Sequence, residues 1–307
     1  MLINNQFPLE FNPLITVLTP TYNRAARLTE LWNSLCLQTS KQFIWFVVDV
    51  GSTDNTQETV NLFAEQSEFP IIYKKKENGG KHTALNVGIS EIKTPLTFIV
   101  DSDDTLTSDA IETIANHYEV YKNDACVCGF SYLRTFPNGE VNGKVFPYDM
   151  WKESYITARV NSGDTLSDKA EVYKTECLKE FPFPEFEGEK FLGEDIVWVR
   201  MGRKYKTVHI NKAIYIGEYL RGGLTKNRRR HNFTSLNGCT ARAKEFLNKD
   251  ICLKQRVKAT LQYLIYGRSA RISYKKLYSE APNISMCLIL TLPAWIIRMV
   301  WEIKFSS

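Results

Sequence analysis

Two hydrophobic rhythms alternate along the N-terminal part of the chain. Short unbroken apolar runs, "PLITVLTP" (13–20), "FIWFVVDV" (43–50), "FPIIYK" (69–74) and "PLTFIVD" (95–101), read as buried strands. Between them, "RAARLTELWNSLCLQ" (24–38) spaces Leu28, Leu31, Trp32 and Leu35 at helical intervals. "STDNTQETVNLFAEQ" puts Ser and Asp ahead of a second helical pattern, as caps do, and "GGKHTALNVGIS" (79–90) supplies a third helix. Strands that alternate with helices imply right-handed crossovers and a largely parallel sheet, hence an α/β fold. In such sheets ligands bind at the carboxyl ends of the strands. The polar segments "TPTYN", "DVGSTDN" and "DSDD" all fall there.

From residue 226 the alternation stops, and helical spacing with clustered basic residues takes over. Residues 226–307 carry 16 Lys+Arg against 4 Asp+Glu, so a chain of net charge +5 divides into a basic tail and an acidic remainder. We therefore divide it into an α/β domain, residues 1–225, and a basic helical region, residues 226–307. Within the tail, "APNISMCLILTLPAWII" (281–297) has no charge but is interrupted by Pro293, and falls short of the ~20 apolar residues of a spanning helix. Flanked by Tyr, Trp, Lys and Arg, it suits an amphipathic anchor on anionic lipid. The alternative is a helix pair packed on the α/β domain or on a second copy in a homo-oligomer. Nucleic acid is not expected, since nothing resembles a recognition module.

The seven cysteines are scattered without C-x-x-C spacing, as in a reduced protein whose thiols serve as small apolar residues. The N-terminal "MLINNQFPLEFNP" has no basic segment followed by an apolar core, so chemistry on the cytoplasmic side is the expectation.

Chemistry concentrates at "DSDD", where Asp101, Asp103 and Asp104 lie within four positions at the end of an apolar strand. Such like charge resists desolvation unless a cation or a polar ligand compensates it. A solvated turn capping the helix that starts near Ser108 is the plain alternative.

Taken in order, "VLTPTYNR", "VVDVGSTDNT", "NGGKHTALNVGI", "DSDD" and "GEDIVWVRMGRKYK" resemble the inverting, GT-A fold (Rossmann-like) glycosyltransferases of family 2, over roughly residues 14–225. The resemblance implies a nucleotide-diphosphate sugar donor, usually a UDP-sugar. It also implies Mn²⁺ or Mg²⁺ at a D-x-D motif, here Asp101, Ser102 and Asp103. Asp103 becomes the metal ligand, with Asp101 assisting at metal or ribose. Thr19, Tyr22 and Asp49 match nucleotide-holding positions, with Arg24 and Lys81 as candidate phosphate contacts. Asp195, preceded by Glu194, matches the catalytic base, which removes the acceptor hydroxyl's proton as that oxygen attacks the anomeric carbon. A carboxylate complementing the helix that begins near Ile196 explains Asp195 equally.

Further on, Arg221 in "EYLRGGLTKN" is a candidate diphosphate contact, and His209 is either a metal ligand or a structural histidine inside an apolar strand. Two positions depart from the family pattern: Val50 stands where a second Asp is usual, and Leu85 where Arg is usual. The acceptor implied by tail and family together is a glycan, polyprenyl-linked, at the inner face of the membrane. A noncatalytic nucleotide-binding or scaffold protein and a sugar nucleotidyltransferase are the competing readings.

Overall fold

The computed structural model describes residues 12–164, 167–217 and 228–305. The N-terminal half runs β1 (Ile15–Thr21), α1 (Ala25–Cys36), β2 (Phe43–Asp49), α2 (Thr56–Gln66), β3 (Ile71–Lys75), α3 (Lys81–Glu91), β4 (Leu96–Ile99), β5 (Thr105–Leu106) and α4 (Ala110–Tyr121). There follow β6 (Val127–Thr135), β7 (Trp151–Glu153), a π-helical turn (Ile156–Asn161), β8 (Lys169–Lys174), α5 (Thr175–Lys179), α6 (Asp195–Lys204) and β9 (Lys206–Ile216). Five helices complete the described chain: α7 (Arg228–Phe233), α8 (Leu236–Glu245), α9 (Leu253–Ser269), α10 (Tyr274–Glu280) and α11 (Ile284–Phe305).

One sheet, in the order β3-β2-β1-β4-β8-β6-β9-β5, forms the middle layer, with β7 paired to β9. Strands β3, β2, β1 and β4 are mutually parallel, as the alternation of runs predicts. Beyond β4 the sheet is mixed, because β8 pairs antiparallel with both β4 and β6 while β6 and β9 run parallel. Among the described residues the segment between β6 and β8 holds no long helix to carry a parallel crossover, which is why the regular rhythm ends there.

Strand side chains alternate between two cores. Ile15, Val17, Trp45 and Val47 pack against Leu28 and Leu31 of α1, Val60 of α2 and Ile111 of α4, with Trp32 stacked on Phe63 at 4.9 Å. Leu18, Phe46 and Val48 face the other way, onto Ala84, Leu85 and Ile89 of α3. This second core is continuous with Ile196 and Val199 of α6 and with Ala243, Tyr263 and Leu264 of the helical tail. The tail thus packs directly on the α/β layers. Val50 and Leu85, the two departures from the family pattern, are buried members of that core.

Pro293 does not interrupt the last helix: α11 is one continuous helix of 22 residues, longer than the uncharged stretch alone. It lies along α9 and α10, where Tyr278 and Thr291 hydroxyls meet at 2.7 Å and Ser269 Oγ donates to Glu302 at 2.6 Å. Its opposite face leaves Ile289, Leu292 and Ile303 exposed. By length and composition alone α11 is able to cross a membrane.

Candidate active site

Three loops meet at the carboxyl edge of β1, β2 and β4. The turn after β1 and the turn after β2 are stitched together by side chains. Ser52 Oγ accepts the Asn23 amide at 2.8 Å, Asn23 Oδ1 accepts the Thr53 amide at 2.8 Å, and Asp54 accepts the Ala25 amide at 3.2 Å. Asn23 adopts φ +50, a conformation that its short amide side chain tolerates. The stitching leaves Tyr22 exposed on the rim and Arg24 facing the next loop.

That next loop is "DSDD". Tyr215, at the end of β9, pins it at both ends: its hydroxyl accepts the Asp101 amide at 2.9 Å and donates to Asp104 at 2.8 Å. Arg134 adds a bond to Asp104 at 3.0 Å and lies 4.3 Å over the Tyr215 ring. The β6/β9 pairing shifts register around Leu133 and Arg134, and such a bulge re-aims a side chain. Burial pushes the Asp104 carboxyl up to about 7 against the pull of Arg134.

Each acid in the loop has its own cation. Asp101 pairs with Lys81 at 2.5 Å, Asp103 with Arg24 at 3.7 Å and Asp104 with Arg134. Protein side chains therefore already supply compensating charge to all three carboxylates. Among the described residues no group of three His, Cys, Asp or Glu side chains is placed to share a metal ion.

Lys81 is the hub. It is the first residue of α3, and it also pairs with Glu194 at 2.6 Å, so it bridges the D-x-D loop and the "GED" segment. Burial works against its charge, but Asp101 and Glu194 outweigh that and raise its pKa. Burial pushes Glu194 up, opposed by Lys81 and reinforced by Asp101, whereas Lys81 outweighs burial to hold Asp101 low. Gly80, at φ +90, permits this arrangement, because a Cβ there would overlap the Lys190 backbone carbonyl. Beside Glu194, Asp195 opens α6 and is held by Arg242 of α8, whose Nε donates to Oδ1 at 2.5 Å and whose Nη2 donates to Oδ2.

The structure thus gathers Arg24, Lys81, Asp101, Ser102, Asp103, Glu194 and Asp195 around one edge, with Tyr22 at its rim. It does not bring Thr19, Asp49 or His209 to that surface. Thr19 is fully buried in β1 and accepts the Trp45 indole N–H at 3.0 Å. Asp49 is fully buried, and its two oxygens take the Ser52 amide at 2.8 Å and the Tyr73 hydroxyl at 2.5 Å, so it shapes the loop from beneath.

His209 sits in β9, roughly 20 Å along the strand from Tyr215 at about 3.3 Å per residue. Its ring packs on Phe146 and Trp151, and its Nε2 lies 3.3 Å from the Glu153 carbonyl oxygen. It is a core histidine, which corrects the metal-ligand expectation. Arg221, with the rest of 218–227, lies outside the described residues. Arg134, Tyr215 and Arg242 were missed by sequence reasoning, since no local motif marks them.

Residues 16–165 match the family model described as glycosyl transferase family 2. That match covers just under half of the chain. The chain is 25% identical over 223 residues to the glycosyltransferase GlyA of Streptococcus pneumoniae, covering 69% of this chain and 31% of that protein. It is 28% identical over 179 residues to the poly(ribitol-phosphate) beta-N-acetylglucosaminyltransferase TarS of Staphylococcus aureus, covering 55% and 29%. These matches span about a third of the length of the curated relatives. Among solved structures, S. aureus TarS in complex with UDP-GlcNAc superposes with TM-score 0.63 at 19% identity, over 94% of this chain and 90% of that one. The mannosyltransferase PcManGT of Pyrobaculum calidifontis, in complex with GDP-Man and Mn²⁺, superposes with TM-score 0.57 at 16% identity, over 97% and 84%. The fold is GT-A.

Proposed function

We propose that the protein is an inverting glycosyltransferase that moves a hexose or N-acetylhexosamine from a UDP-sugar to a glycan hydroxyl. The observation that carries this reading is the meeting of Lys81 with Asp101 and Glu194, because it joins a D-x-D loop to the carboxylates of "GED" at one sheet edge. A donor diphosphate is an anion, and the N-terminus of α3 with Lys81 and Arg24 offers it positive potential. Tyr22 is free on the rim to stack on the base.

Asp101 and Asp103 fit a dication as hard-oxygen donors, each partly exposed and each opposed by one cationic side chain. With two carboxylates available, the remaining ligands would come from the diphosphate. Bound Mn²⁺ or Mg²⁺ neutralises the charge that grows on the leaving diphosphate. Asp195 is the base in this reading, and Glu194 the carboxylate that, with Lys81, faces the donor.

UDP is favoured over other nucleotides by the likeness to TarS, whose structure holds UDP-GlcNAc. With Val50 in the core and Asp49 buried, the base has to be read by backbone groups of the stitched turns. The acceptor is a glycan on a polyprenyl lipid at the cytoplasmic face of the membrane, approached through the basic tail and the exposed face of α11.

Calorimetric titration of UDP, GDP, CDP and dTDP, each with Mn²⁺ and with chelator, tests the site. Metal-dependent binding of UDP alone is the expected result. Binding of a different nucleotide would replace the donor, and equal binding in chelator would remove the metal. Product analysis by NMR must then show the anomeric configuration opposite to that of the donor.

A further inference from the structure

The segment that carries Glu194 and Asp195 is held between two parts of the molecule that are distant in sequence. On one side it rests on Gly80, with no room for a Cβ. On the other it is fastened to α8. Glu189 accepts the Asn237 and Gly238 amides, both at 2.7 Å, which satisfies the free N–H groups at the start of that helix. Ser235 Oγ accepts the Phe191 amide at 3.1 Å. Arg200 and Arg203 of α6 pair with Glu245 at the far end of α8, at 2.9 and 2.5 Å.

At the centre of this seam stands Arg242. Its guanidinium grips both oxygens of Asp195 and lies 4.9 Å over the Phe246 ring, so it is fixed from two directions. Gly193 shows how close the fit is, because a Cβ there would lie 3.0 Å from both Arg242 Nε and Asp195 Oδ1. Two-point contact between a planar guanidinium and a carboxylate fixes the carboxylate's plane as well as its position.

We propose that Arg242 is the positioning residue for Asp195, so that the helical tail is a working part of the catalytic site. The inference rests on Asp195 being the base. A base must present one oxygen to the acceptor hydroxyl along a defined line, and a misplacement of about 1 Å can cost on the order of 100-fold in rate. Arg242 supplies that alignment from α8, while Lys81 holds the neighbouring Glu194 toward the donor side.

The test uses the full chain with UDP-N-acetylglucosamine and Mn²⁺, reading UDP release, and UDP–Mn²⁺ affinity by calorimetry. Arg242→Ala is expected to lower turnover at saturating donor on the order of 100-fold while UDP affinity stays within about threefold. Added guanidinium should restore part of the loss, and Arg242→Lys, which gives one contact instead of two, should fall between. In the Asp195→Asn background, Arg242→Ala should cost nothing further, because its effect runs through that carboxylate.

Turnover by Asp195→Asn at the parental rate would overturn the base assignment and the arginine's role with it. An inactive Asp195→Asn beside an unimpaired Arg242→Ala would overturn the arginine's role alone. Amide hydrogen exchange gives a readout independent of donor choice: residues 189–197 should exchange faster in Arg242→Ala while β1 to β3 stay protected. Unchanged exchange there would also overturn the proposal.

Discussion

Lys81 is the residue on which the electrostatics of the site turn. One ammonium lies within 2.6 Å of carboxylates from two separate loops, and with about a third of its side chain exposed it remains accessible to an incoming anion. Its loss would leave Asp101 and Glu194 facing each other without a cation, and would remove a charged donor from the diphosphate's position. Bonds of that kind contribute roughly 1.5 to 3 kcal/mol, so Lys81→Met should weaken UDP–Mn²⁺ binding about 10- to 100-fold. Because the pair is partly solvated, the melting temperature should move by only a few degrees. Calorimetry beside a thermal melt checks both halves. Unchanged affinity would confine Lys81 to neutralising its two acids.

At the scale of elements, the strand ends were legible and the props beneath them were not. The runs from Pro13 to Asp101 predict β1 to β4 and their helices, because burial on both faces of a parallel sheet writes itself into local composition. "DSDD" could be located for the same reason, at the end of an apolar run, whereas "GED", at the start of α6, was located through the family resemblance. Arg134, Tyr215 and Arg242 reach partners 30, 111 and 47 positions away, and no local pattern records such a distance. Thr19 and Asp49 misled in the opposite direction: they occupy strand ends as ligand contacts do, yet their side chains turn inward. His209 illustrates the same ambiguity on β9.

Burial pushes the imidazole of His209 down to about 4 from an ordinary value of 6.5. A group whose pKa is depressed by folding contributes its full stability above the unfolded value and loses it as pH falls through the folded one. The protein should therefore lose stability between pH 6.5 and about 4, by roughly 3 kcal/mol from this group. Urea unfolding midpoints measured across that range should fall less steeply in His209→Phe than in the parent. Parallel slopes would show that His209 accepts its proton without unfolding the strand.

For the whole molecule, the tail packs on the α/β layers and also leaves outward the apolar surface that a membrane anchor would need. Helices α8 and α9 belong to the core beneath the site, whereas α11 presents a long apolar face outward. A helix of 22 residues is about 33 Å long, comparable to the bilayer's hydrocarbon thickness. Yet one side of it is hydrogen-bonded to α9 and α10, so a helix that keeps those contacts has its opposite face free to enter a bilayer surface. Leu288, Leu292 and Trp295 line an apolar groove there with Tyr274, and the surrounding tail is strongly basic. Hydrophobic insertion beside anionic headgroups is the interaction such a surface favours. The protein should accordingly float with phosphatidylglycerol vesicles and much less with phosphatidylcholine vesicles. The double substitution Ile289→Glu with Leu292→Glu should abolish flotation while leaving UDP binding intact, because both side chains already face solvent and neither touches the site. If the parent stays off both vesicles but sediments as a dimer that the same substitutions dissolve, the face covers a second copy of the chain instead. The approach of a lipid-linked acceptor would then need another route.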